Sequence, residues 1–238
     1  MTEPARRPAS LRSFLPSLNG FAFSNAWPSQ PAVVLHTPFG DVNVGNAAGG
    51  LCGGMVFAAL DYWHAAVPPP AQQPGPTDPL YGYIVRRLIE SWHLPAGVVQ
   101  YYQWMNLPDG DTGFDVLGRH VVIDRGLAWR TIQVQWPQIR SDLDGGTPVP
   151  LGLVTVASAK PADLALNHQV LAYDYALAGT EVTVRVYDPN QGRYDDAYIR
   201  FDTSAPTKPT TFTHTLDIAH PIRGFFRTGY SPSTPDGA

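Results

Sequence analysis

Gly49-Gly50-Leu51-Cys52-Gly53-Gly54-Met55 holds the only cysteine of the chain. Behind it runs Val56-Phe57-Ala58-Ala59-Leu60-Asp61-Tyr62-Trp63, apolar almost all round and free of glycine and proline. This pattern predicts a buried helix from about Cys52 to Ala66. The thiol then stands at a helix N-terminus, where the unpaired N–H groups carry partial positive charge and favour a thiolate. Glycines around it let a substrate carbonyl approach and leave N–H groups to meet it. A free cysteine that only packs as a small hydrophobe needs no such frame.

Outward from this stretch the chain falls into two kinds of pattern. Residues 1–10 are a polar, proline-containing tail. From Phe14 to Val34 the chain is aromatic and turn-rich, an arm expected to lie against the core. Thr37-Pro38-Phe39-Gly40-Asp41-Val42 reads as a turn into the loop from Gly45 to Gly50. A proline-rich loop covers Pro68 to Pro79, and a helical region covers about Leu80 to Met105 with a break at Pro95. Residues 106–114 are a turn cluster, 115–126 read as helical, and Trp136 to Asp144 as a short helix stopped by Gly145-Gly146. From Val149 onward the pattern is that of strands: Val149–Ala157, Gln169–Tyr175, Glu181–Tyr187, Tyr198–Phe201 and Ile222–Arg227. Ala178-Gly179-Thr180 marks a hairpin. Helices in front and antiparallel strands behind predict an α+β fold with its cleft between the layers. Beyond the tail, residues 11–238 read as a single domain, with a helical half at about 45–145 and a sheet half at about 147–228.

The strand half supplies partners for the thiol. Asn167-His168-Gln169-Val170-Leu171 and Tyr187-Asp188-Pro189-Asn190 place a histidine at a strand start and an aspartate at a strand end. Cysteine, then histidine, then aspartate or asparagine is the order that thiol-based nucleophilic catalysis needs. His168 would serve as general base and acid, and Asp188 would fix its tautomer; Asn190, two residues on, stays open as the third member.

Composition narrows the rest. The chain has 238 residues, 44% hydrophobic and 15% charged, with a net charge of −4. That balance suits a globular protein and lacks the basic face that nucleic acid requires. One cysteine excludes an internal disulfide and any multi-cysteine metal site, so neither metal nor cofactor is expected. His93, His120, His214 and His220 show no metal-ligand spacing, His64 reads as a solvated or capping residue, and Arg86-Arg87 reads as a solvated helix face. No stretch approaches the ~20 apolar residues of a membrane span. The start is basic but lacks a signal-peptide apolar core, so the expected location is cytoplasmic, or exported without an N-terminal signal.

Four pieces in this order resemble the papain-like cysteine peptidase superfamily, and most of all its bacterial double-glycine bacteriocin-processing branch. They are Gly50-Leu51-Cys52-Gly53-Gly54-Met55, Asp144-Gly145-Gly146-Thr147-Pro148-Val149-Pro150, Asn167-His168-Gln169-Val170-Leu171-Ala172-Tyr173 and Val186-Tyr187-Asp188-Pro189-Asn190. The resemblance implies a papain-like fold and a peptide or protein substrate. It implies Cys52 as nucleophile, His168 as base, and Asp188 as the third member. It also implies an oxyanion hole from the Cys52 N–H and the residue six before it, here Asn46 where the family has glutamine. The same constellation serves hydrolysis or acyl transfer to an amine, and a non-catalytic binding module could keep the fold alone.

Overall fold

The computed structural model describes residues 13–27, 33–37, 40–44, 51–92, 96–117 and 119–235. The chain begins with a one-turn helix α1 (Pro16–Asn19) and a hairpin of β1 (Val33–Thr37) and β2 (Gly40–Val44). Three helices follow, α2 (Cys52–His64), α3 (Pro79–Ser91) and α4 (Ala96–Met105). A second hairpin pairs β3 (Thr112–Val116) with β4 (Arg119–Asp124). Then α5 (Leu127–Trp129), a π-helical turn (Arg130–Gln135) and α6 (Trp136–Asp144) form one continuous rod. The remaining strands are β5 (Val149–Val154), β6 (His168–Ala178), β7 (Glu181–Tyr187), β8 (Tyr198–Asp202), β9 (Thr213–His214) and β10 (Gly224–Arg227), with a 3₁₀ segment (Pro161–Leu166) ahead of β6.

The fold is mixed α+β, helices packed on one antiparallel sheet of strand order β10-β5-β6-β7-β8-β9. Strand alternation divides the interior in two, because successive side chains point to opposite faces. Val154, Leu171, Tyr187 and Phe226 join α2, α3, α4 and the aromatic arm in one core. Leu151, Leu153, Val170, Val184, Val186 and Phe225 join Ile132, Trp136, Ile139 and Leu143 in the other. The arm belongs to the first core: Phe14, Phe21, Phe23 and Trp27 are all buried, and the Trp27 indole donates to the Pro74 carbonyl at 3.0 Å. Among the described residues no helix is long and apolar enough to cross a membrane.

Three expectations from the sequence need correction or extension. Residues 115–126 are not helical. Val116 pairs with Arg119, Leu117 takes a left-handed φ of 49°, and the β-branched run Val121-Val122-Ile123 lies in a strand. Phe114, Val116, Val121 and Ile123 alternate along this hairpin and are exposed. Of the stretch Thr37–Val42, read as a turn, Thr37 ends β1 and pairs with Gly40 at the start of β2, while residues 38 and 39 lie outside the described residues. Arg87 is not a solvated face residue. It is 2% exposed and pairs through Nε with the Asp61 carboxylate of α2 at 2.7 Å.

Asp61 is itself fully buried and is the hub that ties α2 to α3 and to the C-terminal segment. Its oxygens accept from the hydroxyls of Tyr83 (2.7 Å) and Tyr230 (2.8 Å) and from the Ser233 N–H (2.8 Å). Arg87 also donates to the Ser231 carbonyl at 2.8 Å and contacts Glu90. Close helix contact is made possible by Gly54, where a Cβ would overlap the Ile84 carbonyl oxygen of α3. Removing one partner of such a pair leaves an uncompensated buried charge. Asp61→Ala should therefore lower stability by about 3–5 kcal/mol in urea unfolding. A joint Asp61→Leu, Arg87→Met replacement should recover a large part of that loss; a double variant no more stable than Asp61→Ala would mean that the charges themselves hold this junction.

Candidate functional site

Cys52 is the first residue of α2, and the first turn of that helix carries no acidic residue to offset the positive end of its dipole. Leu51 caps the helix without a side-chain bond of its own. The Leu51 N–H is instead accepted by the Asn25 side chain at 2.8 Å. The arm thus fixes the residue that precedes the thiol. Gly53 is needed for packing: a Cβ there would lie 2.7 Å from Gln169 Oε1 and would overlap Ser91 Oγ. The glycines after the cysteine therefore serve the contact of α2 with α3 and β6. Those before it, Gly49 and Gly50, lie outside the described residues, as does Asn46, so the expected oxyanion amide has no described position.

His168 opens β6 and Asp188 follows the last residue of β7. The two-residue turn Gly179-Thr180, with Gly179 at φ +62°, sets the register from Ala178 opposite Glu181 to Asp174 opposite Arg185, and a one-residue bulge at Tyr173 then shifts it so that Ala172 is opposite Val186. By its end Leu171 is opposite Tyr187. One step further Asp188 is level with Val170, and His168 is the diagonal neighbour on the same face, within reach of a long side chain. The result is a contact of 2.8 Å between His168 Nε2 and Asp188 Oδ1, both groups buried. Nε2 being engaged, Nδ1 is the ring nitrogen left for the Cys52 thiol, which lines the same cleft and acts on His168 electrostatically.

The carboxylate is held as firmly as the ring. Asp188 Oδ1 accepts the Asn190 N–H at 3.0 Å, and Oδ2 accepts the Asp217 N–H at 3.1 Å. Asn190 does not touch the imidazole in this arrangement. Its amide donates to the Asp217 carbonyl at 2.7 Å and accepts from Asn25 Nδ2 at 3.1 Å. Asn25 therefore links the arm, the N-terminus of α2 and the turn after β7. Beneath the site Tyr101 of α4, also buried, donates to the His168 carbonyl at 3.3 Å. Burial, and then the nearby charge of Cys52, raise the pKa of this phenol, which keeps it a donor. Asn25, Tyr101 and Asp217 had no signal in the sequence, because each reaches the site through tertiary contact and none belongs to a recognisable motif.

Electrostatics favour a charged histidine. Burial on its own pushes the His168 pKa down. The charges of Asp188 and Cys52, with the hydrogen bond from His168 to Asp188, outweigh it and raise the value to about 10. A cleft of about 520 Å³ opens on the thiol. The arm residues Ser24, Asn25 and Trp27 border it on one side, and Leu166, Asp217 and His220 on the other. Among the described residues no cluster of His, Cys, Asp and Glu is arranged to hold a metal ion.

No protein-family model matches this chain, and no curated protein or solved structure matches it significantly.

A folded-state pKa raised above the ordinary value has a definite sign in the stability curve. The stabilisation is complete below about pH 6.5 and drains away as pH climbs toward about 10. Ring NMR signals of His168 should accordingly report a doubly protonated imidazole at pH 8. In Asp188→Asn the titration should move to lower pH, and a midpoint unmoved by that change would show that Asp188 does not set the charge of the ring.

Proposed function

We propose that this chain is a cysteine hydrolase of papain-like fold that cleaves a peptide or amide bond through a thioester. One observation carries the reading: His168, in contact with Asp188 through one ring nitrogen, lines one cleft with the only thiol, which stands at the N-terminus of a buried helix. The order of the three residues along the chain and the resemblance of their flanking motifs support the same reading.

The chemistry follows from the placement. With the proton on His168, the Cys52 sulfur attacks the carbonyl carbon and the carbonyl π electrons move to oxygen. The Cys52 N–H at the helix end is one donor to that oxyanion, and the Asn46 amide is proposed as the second. As the intermediate collapses, the C–N bond breaks and the amine leaves with the proton from His168 Nδ1. Water then attacks the thioester while His168 takes its proton. The second collapse releases the carboxylic acid and restores the thiolate–imidazolium pair. Asp188, fixed by two backbone N–H groups, keeps Nε2 protonated and the ring in place throughout.

The test is a fluorogenic peptide library on the native chain and on three variants. Cys52→Ala should abolish turnover while changing stability by less than about 1.5 kcal/mol, since the side chains differ little in volume. Asp188→Ala should lower kcat at least about tenfold more than Asn190→Ala, because only the former removes the imidazole's partner. Turnover that survives in Cys52→Ala would remove the thiol from the reaction. Equal losses at positions 188 and 190 would leave Asp188 without its orienting role.

A further inference from the structure

Apart from the imidazoles of His168 and His220, the ionisable side chains that line the cleft among the described residues are those of Cys52 and Asp217. None of the described residues that line it is a lysine or an arginine. Its one lining carboxylate is Asp217, an exposed residue whose backbone is pinned at both ends, its N–H on Asp188 Oδ2 and its carbonyl on Asn190 Nδ2. The Asp217 carboxylate itself has no ion pair or hydrogen bond among the described residues. Asp217 is thereby fixed beside the dyad with its charge left to solvent. Apolar walls, with Trp27 on one side and Leu166 on the other, lower the local dielectric and focus the field of the cleft.

We propose that Asp217 makes this cleft cation-selective, so that the preferred substrate carries a positively charged group, such as a lysine or arginine side chain, next to the bond presented to Cys52. The hydrolytic part of this statement rests on the function proposed above; the charge selection does not. An unpaired carboxylate inside a charged substrate's reach is a specificity determinant because it favours the cation and also repels the anion. Asp217 is not given a part in the bond-breaking step, since its side chain makes no contact with the dyad among the described residues.

The chain has a single cysteine, so thiol reagents read this one position. Methanethiosulfonates form a mixed disulfide with the thiolate and release methanesulfinate. A trimethylammonium-bearing and a sulfonate-bearing reagent differ there mainly in charge. The readout is the ratio of their rates at Cys52, each normalised to the neutral methyl reagent. At low ionic strength Asp217→Asn should reduce the cation-to-anion ratio by about fivefold or more, and Asp217→Lys should reduce it further. Asparagine keeps the size and both backbone bonds of residue 217. Glu181→Gln, at the far end of the β6–β7 hairpin, removes the same net charge and should leave the ratio near its native value. A ratio unmoved by Asp217→Asn, or moved equally by Glu181→Gln, overturns the proposal. A second arm compares matched peptides with lysine or glutamate beside the scissile bond. Cleavage with no lysine preference and an unmoved reagent ratio would leave the hydrolase standing and the selection refuted. No cleavage with a shifted ratio would do the reverse.

Discussion

The Asp188 carboxylate is the point on which four separate segments close. It receives the ring of His168 from β6, the Asn190 N–H from the turn after β7, and the Asp217 N–H from the loop before β10. Through Asn190 it also meets Asn25 of the N-terminal arm, whose side chain accepts the Leu51 N–H at the head of α2. A carboxylate buried away from water needs partners of this kind, and Asp188 has three. Once it is in place, the imidazole has one permitted position and the thiol one partner.

The far end of α2 is held by a second buried charge. Asp61 and Arg87 bind α2 to α3 and draw the C-terminal residues Tyr230 to Ser233 across both. The helix is thus pinned twice, at its N-terminus by neutral amide contacts and near its C-terminus by an ion pair. Gly53 and Gly54 let it sink against α3 and β6 between those pins. A rigid, close-packed helix is what a nucleophile at its first residue needs, since a shift of an ångström would lose the histidine.

Much of this arrangement is legible in the sequence, and the reasons are physical. The helix from Cys52 shows because it is apolar on every side, and the β6–β7 hairpin shows because Val182, Val184 and Val186 alternate beside a glycine turn. His168 and Asp188 are flanked by those strong signals, but the one-residue bulge at Tyr173 that brings them to the same face has no signal of its own. The β3–β4 hairpin was hidden because it buries no apolar face, and exposed apolar residues at Phe114, Val121 and Ile123 mimic a partly helical pattern. Arg87 was hidden for the opposite reason: a charge beside Arg86 reads as solvated, and only the fold brings Asp61 of another helix to it. Asn25 accepts a backbone N–H of a distant segment, and Asp217 meets distant side chains through its own backbone, roles that no local pattern encodes.

The central claim is that a histidine fixed by Asp188 makes Cys52 reactive. Its most direct test is the second-order rate of Cys52 alkylation by iodoacetamide at neutral pH, in the native chain and in folded His168→Ala. An imidazolium partner populates the thiolate, so the native rate should exceed that of His168→Ala by about tenfold or more. Equal rates in two folded proteins would contradict the account and reduce Cys52 to a thiol at a helix end.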